Sequence, residues 1–210
     1  MNRESAGLRA DRPRMQGVKE AIEERRSVRS FRPGILDEPT VRELLGAAVL
    51  APTARHLEPW AFVIVQDRAL LKRISDRAIA TWPPLPAPDH ERHAAAHLPP
   101  ASHAPGLLAA AELNVFYDAG TLIVICARPL GRFVNADCWL AAENLMLAAT
   151  GLGLGTCCIG SAVEALNAPD LKAELGIPPD VRVVAPVIVG VPETVPAPTP
   201  RKAPVILSWK

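Results

Sequence analysis

The sequence predicts a single α+β domain, and three observations about its 210 residues support that class. Several segments carry apolar residues at the 3.6-residue spacing of a helix. Other short runs are continuously apolar and rich in β-branched residues, as buried strands are. One longer segment is apolar on nearly every side. The sequence contains no internal repeat, and a chain of this size can bury one sizeable core or form one half of a tight dimer.

The N-terminal half predicts helices around one strand. Residues 18–26 have the apolar spacing of a short helix, and residues 69–80 that of a longer one. Between them, Asp37 can cap a helix whose first turn holds Pro39 and whose apolar stripe runs on to Val49. Residues 61–65 are apolar and rich in strand formers, which predicts a buried strand.

The C-terminal half predicts three further strands and two helices. Residues 121–127 form a continuous apolar strand, residues 156–159 a short one, and residues 181–191 the longest. Residues 163–175 have helical spacing. Residues 136–149 predict a helix interrupted only by Asp137, Glu143 and Asn144. A helix that is apolar all round must be buried all round, which leaves either the domain centre or a subunit interface.

A glycine-rich turn follows this last helix, with Gly153 and Gly155 before the short strand. Glycine-rich turns also bind dinucleotide phosphates, but that fingerprint runs from a strand into a helix. Here the order is reversed, so a nicotinamide-binding Rossmann domain is excluded. The glycines are typical of a helix C-cap.

An arginine segment, residues 25–29, follows the first helix and reads Arg-Arg-Ser-Val-Arg. If the helix continued, Arg25 and Arg29 would be like-charged neighbours one turn apart, at a cost of a few tenths of a kcal/mol. A bound phosphate would reverse that cost, because guanidinium groups match phosphate oxygens. The alternative is a solvated helix end, where arginine complements the helix dipole.

Composition excludes several classes of partner and site. The net charge of +1 and the pI of about 7.7 predict neither a nucleic acid nor a membrane partner. No apolar stretch is long enough for a membrane span. Residues 1–16 are polar and lack a signal-peptide core, so we expect a disordered extension before a single domain of residues 17–210. The four cysteines lack CxxC spacing and predict buried, reduced thiols in a cytoplasmic protein.

Two proline-rich segments stand apart from the predicted core. Residues 81–106 predict a variable cover over the site; His90, His93 and His97 share one helical face there, but nothing completes a metal site and we expect none. Residues 192–210 predict an extended tail, because prolines recur along it. Its apolar end has to dock on a surface, and a partner subunit offers one.

Four features together resemble the FMN-dependent nitroreductase family. They are the run RRSVRSF, the pattern AP-x(6)-PW some twenty residues later, the helix motif D-x(6)-NL-x-LAA-x-x-LGLG from Asp137, and Arg201 in the tail. The resemblance extends from Val18 to Arg201 and is weakest between Trp82 and Leu113. It implies a nitroreductase-like fold with a central mixed β-sheet flanked by helices. It also implies an intertwined homodimer whose C-terminal tail extends onto the partner.

The resemblance also implies a set of FMN-binding residues in four groups. The phosphate would be held by Arg25, Ser27 and Arg201, with Arg26 alongside. Arg29 would lie by the ribityl chain and the pyrimidine end of the ring. The other subunit would supply Pro52, Thr53, Ala54 and His56. The strand behind flavin N5 would supply Cys158, Ile159, Gly160 and Ser161. No nucleophile or dedicated acid–base residue is required, because the flavin carries the chemistry.

Three residues depart from the family's usual pattern before the Pro-Trp pair. His56 stands where Asn is usual, Glu58 where Gln is usual, and Arg55 where a small residue is common. His56 is either a structural residue or a contact to the ring or the substrate. These departures leave the cofactor prediction intact and the substrate open.

The implied function is that of a homodimeric FMN enzyme that takes a hydride from NADH or NADPH. It would pass two electrons to a small-molecule acceptor such as a nitroaromatic, a quinone or a flavin. One alternative is a specialised family member, namely an oxidase, a dehalogenase or a flavin-fragmenting enzyme. The other is a flavin-binding protein without turnover.

Overall fold

The computed structural model of the protein describes residues 17–81 and 114–210. Four strands form one sheet in the order β1-β2-β4-β3. They are β1 (Trp60–Val65), β2 (Thr121–Ala127), β3 (Gly155–Cys158) and β4 (Arg182–Gly190). The predicted cover and its three histidines lie mostly outside the described residues, as do residues 1–16.

Every pair of neighbouring strands is antiparallel, which corrects the expectation of a mixed sheet. The physical reason is visible at β1 and β2, where the chain re-enters the sheet at the end where it left, so that Val65 faces Leu122. Within the described residues, parallel pairing is limited to the isolated bridge between Ser27 and Thr156.

Six helices surround the sheet in the described part of the chain. They are α1 (Val18–Glu24), α2 (Glu38–Ala48), α3 (Arg68–Thr81), α4 (Val134–Gly151), α5 (Val163–Leu166) and α6 (Pro169–Glu174). The predicted start of α2 is confirmed, because the Asp37 side chain accepts a hydrogen bond from the Thr40 N–H at 3.0 Å. All four predicted strands and the long apolar helix are confirmed within two residues at each end.

The predicted helix over residues 163–175 is instead divided into α5 and α6. Pro169 lacks an N–H and opens α6, where it fits the first turn. Before it, the Asn167 side chain exchanges two hydrogen bonds with the backbone of Val183, at 2.9 and 3.0 Å. This side-chain pairing with β4 ends α5 and fixes it to the sheet.

The core occupies both faces of the sheet. On one face, alternate residues of β2 and β4 pack with α3, α5 and α6; on the other, the intervening residues pack with α2 and α4. β2 is buried along its whole length, as its continuous apolar run predicts. The adjacent cysteines of β3 point to opposite sides as expected, Cys157 into the first cluster and Cys158 against the second.

The long helix α4 is buried on one side only within the protomer. Trp139 and Leu140 are each 45% exposed, and the aromatic ring of Phe133 just before the helix is more exposed still. The prediction of burial on every side is therefore not met by one chain alone. The helix ends as predicted, with Gly153 in the left-handed conformation after it (φ 72°).

The C-terminal tail is extended and exposed from Glu193 to Lys210. Its apolar residues remain in solvent in the protomer, including Leu207 at 95% and Trp209 at 87% exposure. Just after β4, the tail is bound to the residue that follows the arginine segment: the Glu193 N–H donates to the Ser30 carbonyl at 3.0 Å.

Candidate functional site

The arginine segment lies along the outer edge of the sheet, beside β3. The Val28 N–H donates to the Thr156 carbonyl at 2.9 Å, and Ser27 bridges the same residue. Val28 is buried, and successive residues of an extended segment point to opposite sides. Ser27 and Arg29 therefore turn together away from the core.

Gly155 allows the segment to come this close to β3. A Cβ at position 155 would lie 2.8 Å from the Val28 Cβ, closer than two carbon atoms can pack. The glycine that the sequence assigns to a helix cap thus also has a packing role. It sets the distance between the arginine segment and the sheet.

Arg25 lies where α1 ends, earlier than predicted. Its backbone leaves the helical region at ψ 129°, so Arg25 and Arg29 are not helix neighbours. The Arg25 side chain is 21% exposed, and its Nε lies 3.9 Å from Glu143 Oε1 on α4. The cation is thus held between the arginine segment and the long helix.

Arg26 closes the end of α1. Its Nη1 donates to the carbonyls of Glu23 and Arg25, at 2.6 and 2.8 Å, which satisfies acceptors left free at a helix C-terminus. Its Nε is buried and has no partner among the described residues. The Nε–H of Arg26 is therefore a buried donor without a hydrogen-bond partner in the described part of the chain.

The thiol of Cys157 on β3 is influenced by three side chains of the arginine segment. Burial raises the pKa of the Cys157 thiol, and the charge of Arg29, a hydrogen bond with Ser27 and the charge of Arg25 act against that rise. Three predicted ligands of one phosphate-bearing cofactor therefore influence the same thiol of β3. In addition, the Arg29 guanidinium lies over the Tyr117 ring, 5.8 Å from its centroid.

β3 leads directly into the next group of predicted residues. The Ile159 N–H donates to the Pro186 carbonyl at 2.9 Å, and the Ile159 side chain is buried. Cys158 before it is half-buried, and burial raises the pKa of its thiol to about 11. Gly160 is exposed, and a Cβ added there would meet no atom within 4 Å. Ser161 is half-buried in the short 3₁₀ turn that follows.

The remaining predicted residues lie in the 52–58 loop, which precedes β1. The loop is flanked by buried Ala51 on one side and by buried Pro59 and Trp60 on the other, whereas Pro52 and His56 are exposed. The ends of the AP-x(6)-PW pattern are thus core residues and its middle is solvent-facing. Thr53 and Ala54 are half-buried.

Three residues of this loop have positive φ angles without being glycine. They are Arg55 (56°), His56 (56°) and Glu58 (44°). Side chains disfavour this left-handed region. His56 Nε2 lies 3.3 Å from Glu58 Oε1, so the two departures from the family pattern form one pair.

The protomer does not bring the two halves of the predicted site together. The arginine segment borders β3 at one edge of the sheet, while the 52–58 loop precedes β1 at the other. Three strand spacings separate the edges, about 14 Å. Arg201 joins neither half: it is exposed in the tail and has no hydrogen bond or ion pair within the part of the chain that the structure describes.

The family assignment agrees with this arrangement of fold and residues. The sequence profile described as "Nitroreductase family" matches residues 22–191. The chain belongs to the nitroreductase family. The resemblance and the α+β fold inferred from the sequence are thereby confirmed.

Several relatives of this family member cover nearly its whole length. A protein of Archaeoglobus fulgidus with the provisional name NADH dehydrogenase/NAD(P)H nitroreductase is 29% identical over 85% of this chain and 87% of its own. A 5,6-dimethylbenzimidazole synthase of Rhodospirillum rubrum is 32% identical over 84% and 82%. A nitroreductase with bound FMN from Bacteroides fragilis superposes with a TM-score of 0.72 at 26% identity, covering 93% of this chain and all of that one.

Three residues beside the candidate site were not predicted from sequence. Asp137 and Glu143 on α4 contact the 52–58 loop and Arg25, respectively. Their signal was present, since they are two of the three polar residues in an otherwise apolar helix. Tyr117, against Arg29, carried no sequence signal. The third polar residue, Asn144, donates to the Ala47 carbonyl at 3.2 Å and ties α4 to α2.

A surface groove of the described residues lies elsewhere, between α3 and the turn from α5 to α6. It encloses about 770 Å³ and contains one predicted residue, Gly160. Two of its three cations are engaged: Arg77 pairs with Asp170, and Lys172 donates to the Pro179 carbonyl at 2.7 Å. We place the candidate site at the arginine segment and not in this groove, because the groove contains only one of the predicted residues.

The described residues contain no group of three or more His, Cys, Asp or Glu side chains arranged to bind a metal ion. Among them, no helix combines the length and the apolar character needed to cross a bilayer.

Proposed function

We propose that the protein is a homodimeric FMN-dependent oxidoreductase that takes a hydride from NADH or NADPH and passes two electrons to a small-molecule acceptor. The observation that carries the proposal is that Arg25, Ser27 and Arg29 lie in one short segment that pairs with β3 at Thr156, in a chain of the nitroreductase family. The FMN in the related Bacteroides fragilis structure supports the choice of cofactor.

The residues present fit a flavin phosphate. Arg25 and Arg29 supply guanidinium donors, Ser27 a hydroxyl, and the Nε of Arg26 is a buried donor without a partner in the described residues. Charge-assisted bonds of this kind are the strong ones. The exposed, unobstructed backbone at Gly160 fits the close passage of a ring past Ile159 and Ser161. Cys158 lies between these two groups of residues.

A second copy of the chain supplies the other half of the site in this proposal. Its Pro52, Thr53, Ala54 and His56 would reach the flavin, because one protomer holds the two halves at opposite edges of the sheet. The exposed apolar face of α4 supports the same arrangement, since Trp139 and Leu140 need a covering surface. The apolar tail would cross onto the partner and bring Arg201 to the phosphate.

The chemistry assigns each half a separate task. FMN, when bound, supplies the hydride chemistry at N5. Arg29 would lie at the pyrimidine end of the ring, where a fixed positive charge stabilises the negative charge that reduction leaves. Its contact with Tyr117 restricts its orientation. The 52–58 loop would define how the nicotinamide and the acceptor approach.

We infer the acceptor class by analogy with a relative, and the cell compartment from the cysteines. The printed name of the Archaeoglobus fulgidus relative supports NADH or NADPH as donor and a nitro compound as acceptor, with quinones and free flavins as further candidates. Four free thiols, three of them buried, support a reducing compartment and hence the cytoplasm.

The decisive experiment is anaerobic mixing of the purified protein with NADH and, separately, with NADPH. Bleaching of the flavin absorbance by either donor, followed by recovery with a nitroaromatic or a quinone, is the expected result. Mass spectrometry of the released cofactor should give FMN, and light scattering should give a dimer. Release of FAD, or a flavin that neither donor reduces, would contradict the proposal.

A second candidate is a specialised reaction of the same flavin. It is favoured by the 32% identity to a 5,6-dimethylbenzimidazole synthase and by the three departures in the 52–58 loop. Exposing the reduced protein to oxygen separates the two functions. Recovery of intact FMN supports electron transfer to an acceptor, whereas consumption of the FMN itself supports the synthase-like reaction.

A further inference from the structure

The conformation of the 52–58 loop requires external support. Positive φ angles at Arg55, His56 and Glu58 are unfavourable for residues with side chains. Its own backbone bonds are long: the His56 N–H reaches the Thr53 carbonyl at 3.3 Å, and the Leu57 N–H reaches the Ala54 carbonyl at 3.3 Å. The loop would not be expected to hold this shape by itself.

Two side chains from outside the loop anchor it. Asp137 on α4 accepts the Ala54 N–H, with both carboxylate oxygens 3.3 Å from that nitrogen. Arg128, just after β2, donates through Nη2 to the Glu58 carbonyl at 2.5 Å. Arg128 is exposed, whereas Asp137 is only 4% exposed. Asp137 is therefore the buried anchor.

The burial of the Asp137 carboxylate has to be compensated by favourable interactions. Removing a carboxylate from water is costly unless hydrogen bonds compensate. In the described residues Asp137 has one donor, the Ala54 N–H, together with its place in the first turn of α4, where the helix dipole favours an anion. Since no side chain of the described residues donates a hydrogen bond to the Asp137 carboxylate, the Ala54 N–H is its hydrogen-bond partner there.

We propose that Asp137 is a positioning residue: it holds the 52–58 loop in its left-handed shape and thereby sets how the donor and acceptor substrates approach the flavin. This role rests on the proposed function, in which the loop faces the flavin of the partner. Asp137 itself contacts neither cofactor nor substrate. It acts through Ala54, the residue at the centre of the loop's inward side.

The test compares D137N and D137A with a matched control, D170N. Asp170 also loses a charge, but it is an exposed partner of Arg77 far from the loop. The first readout is hydrogen–deuterium exchange of the cofactor-free protein over residues 52–58. We expect exchange about tenfold faster in D137A, because a bond to a charged group is lost, and no change in D170N.

The second readout separates positioning from general damage in the FMN-loaded protein. We expect the KM for NAD(P)H to rise about tenfold in D137N, with the limiting rate of flavin reduction within about threefold of wild type. R128A loosens the loop from its other end without removing a buried group, so it should shift exchange and KM in the same direction.

The outcomes are distinguishable. Unchanged exchange and unchanged KM in FMN-loaded D137N would overturn the role of Asp137 and leave the proposed function standing. A wild-type protein that binds no FMN would overturn the proposed function instead. A D137N protein that loses stability while R128A behaves as wild type would show that Asp137 serves folding and does not position the loop.

Discussion

The two halves of the candidate site differ in how the chain holds them. The arginine segment is fixed by backbone pairing with β3 and by the buried Val28. The 52–58 loop instead pairs with no strand of the described residues: side chains anchor it, and three of its residues occupy the left-handed region. A segment paired to a sheet tolerates little change, whereas an anchored loop can be altered without disturbing the core.

This difference explains where the chain departs from its family's usual pattern. The departures at Arg55, His56 and Glu58 all fall in the anchored loop, and none falls in the paired arginine segment. In the proposed function, cofactor binding and substrate choice thus belong to two separately held parts of the molecule. Each prediction below tests that separation, from the largest expected effect to the smallest.

The largest effect is expected from Leu140→Glu on the exposed face of α4. If the two halves of the site belong to different subunits, a charge placed on this face should dissociate the dimer and release FMN together, because a buried unpaired charge costs several kcal/mol. Light scattering and the absorbance of the flavin check both losses. Ala173→Glu, at an exposed position of α6, is the control and should change neither. A variant monomer that still binds FMN would show that one protomer holds the whole site.

Arg25→Ala should weaken FMN binding about ten- to hundredfold, because a charge-assisted bond contributes roughly 1.5–3 kcal/mol. Arg201→Ala should act in the same direction if the tail reaches the phosphate. Equilibrium titration of the cofactor-free protein with FMN measures both. The control is Arg42→Ala, an exposed arginine paired with Glu38. Wild-type affinity in both variants would identify these arginines as ordinary surface charges.

The double change His56→Asn and Glu58→Gln restores the usual family residues in the loop. It should shift KM for NAD(P)H or the acceptor by about three- to tenfold, because it removes the contact between His56 and the Glu58 carboxylate from the proposed approach to the ring. The affinity for FMN should stay within about twofold. A large loss of FMN with unchanged KM would contradict the separation of the two halves.

Glu143→Gln should strengthen FMN binding by a few-fold. Glu143 lies 3.9 Å from Arg25, where its charge competes with a phosphate for the same guanidinium and repels the phosphate itself. Both side chains are partly exposed, so the effect should be small and should fade at high salt. Titrations at low and high ionic strength check this; weaker binding at both would mean that Glu143 orients Arg25 and does not compete for it.

The smallest effect concerns pH and the thiols of the cofactor half. Burial raises the pKa of Cys158 to about 11, above its ordinary value of 9.0. A thiol whose pKa is raised on folding stabilises the fold fully below pH 9, and this contribution is lost as pH rises towards 11. Urea unfolding should therefore show a smaller drop in stability between pH 8 and pH 10.5 in Cys158→Ala than in wild type. Equal drops would contradict the burial of this thiol.

Much of the fold was readable because its signals are local. The run from Thr121 to Ala127 is continuously apolar and forms β2 over that same range. Asp37 and Pro39 locate the start of α2. The helix over residues 163–175 was predicted as one element because its apolar spacing continues across Pro169, and the break depends on Asn167 pairing with a strand that follows later in the chain.

In the site too, short sequence motifs predict some features, and contacts between distant parts of the chain decide the others. By itself the sequence determined the family, the α+β class and the residue types that suit a flavin phosphate, because these are properties of short motifs. Only the tertiary structure decided that the arginine segment leaves its helix at Arg25 and that its side chains act on the Cys157 thiol. It also placed the 52–58 loop at the opposite edge of the sheet and the Asp137 carboxylate against the Ala54 N–H. Strand order and contacts between distant segments set these positions, and no local pattern of residues encodes them.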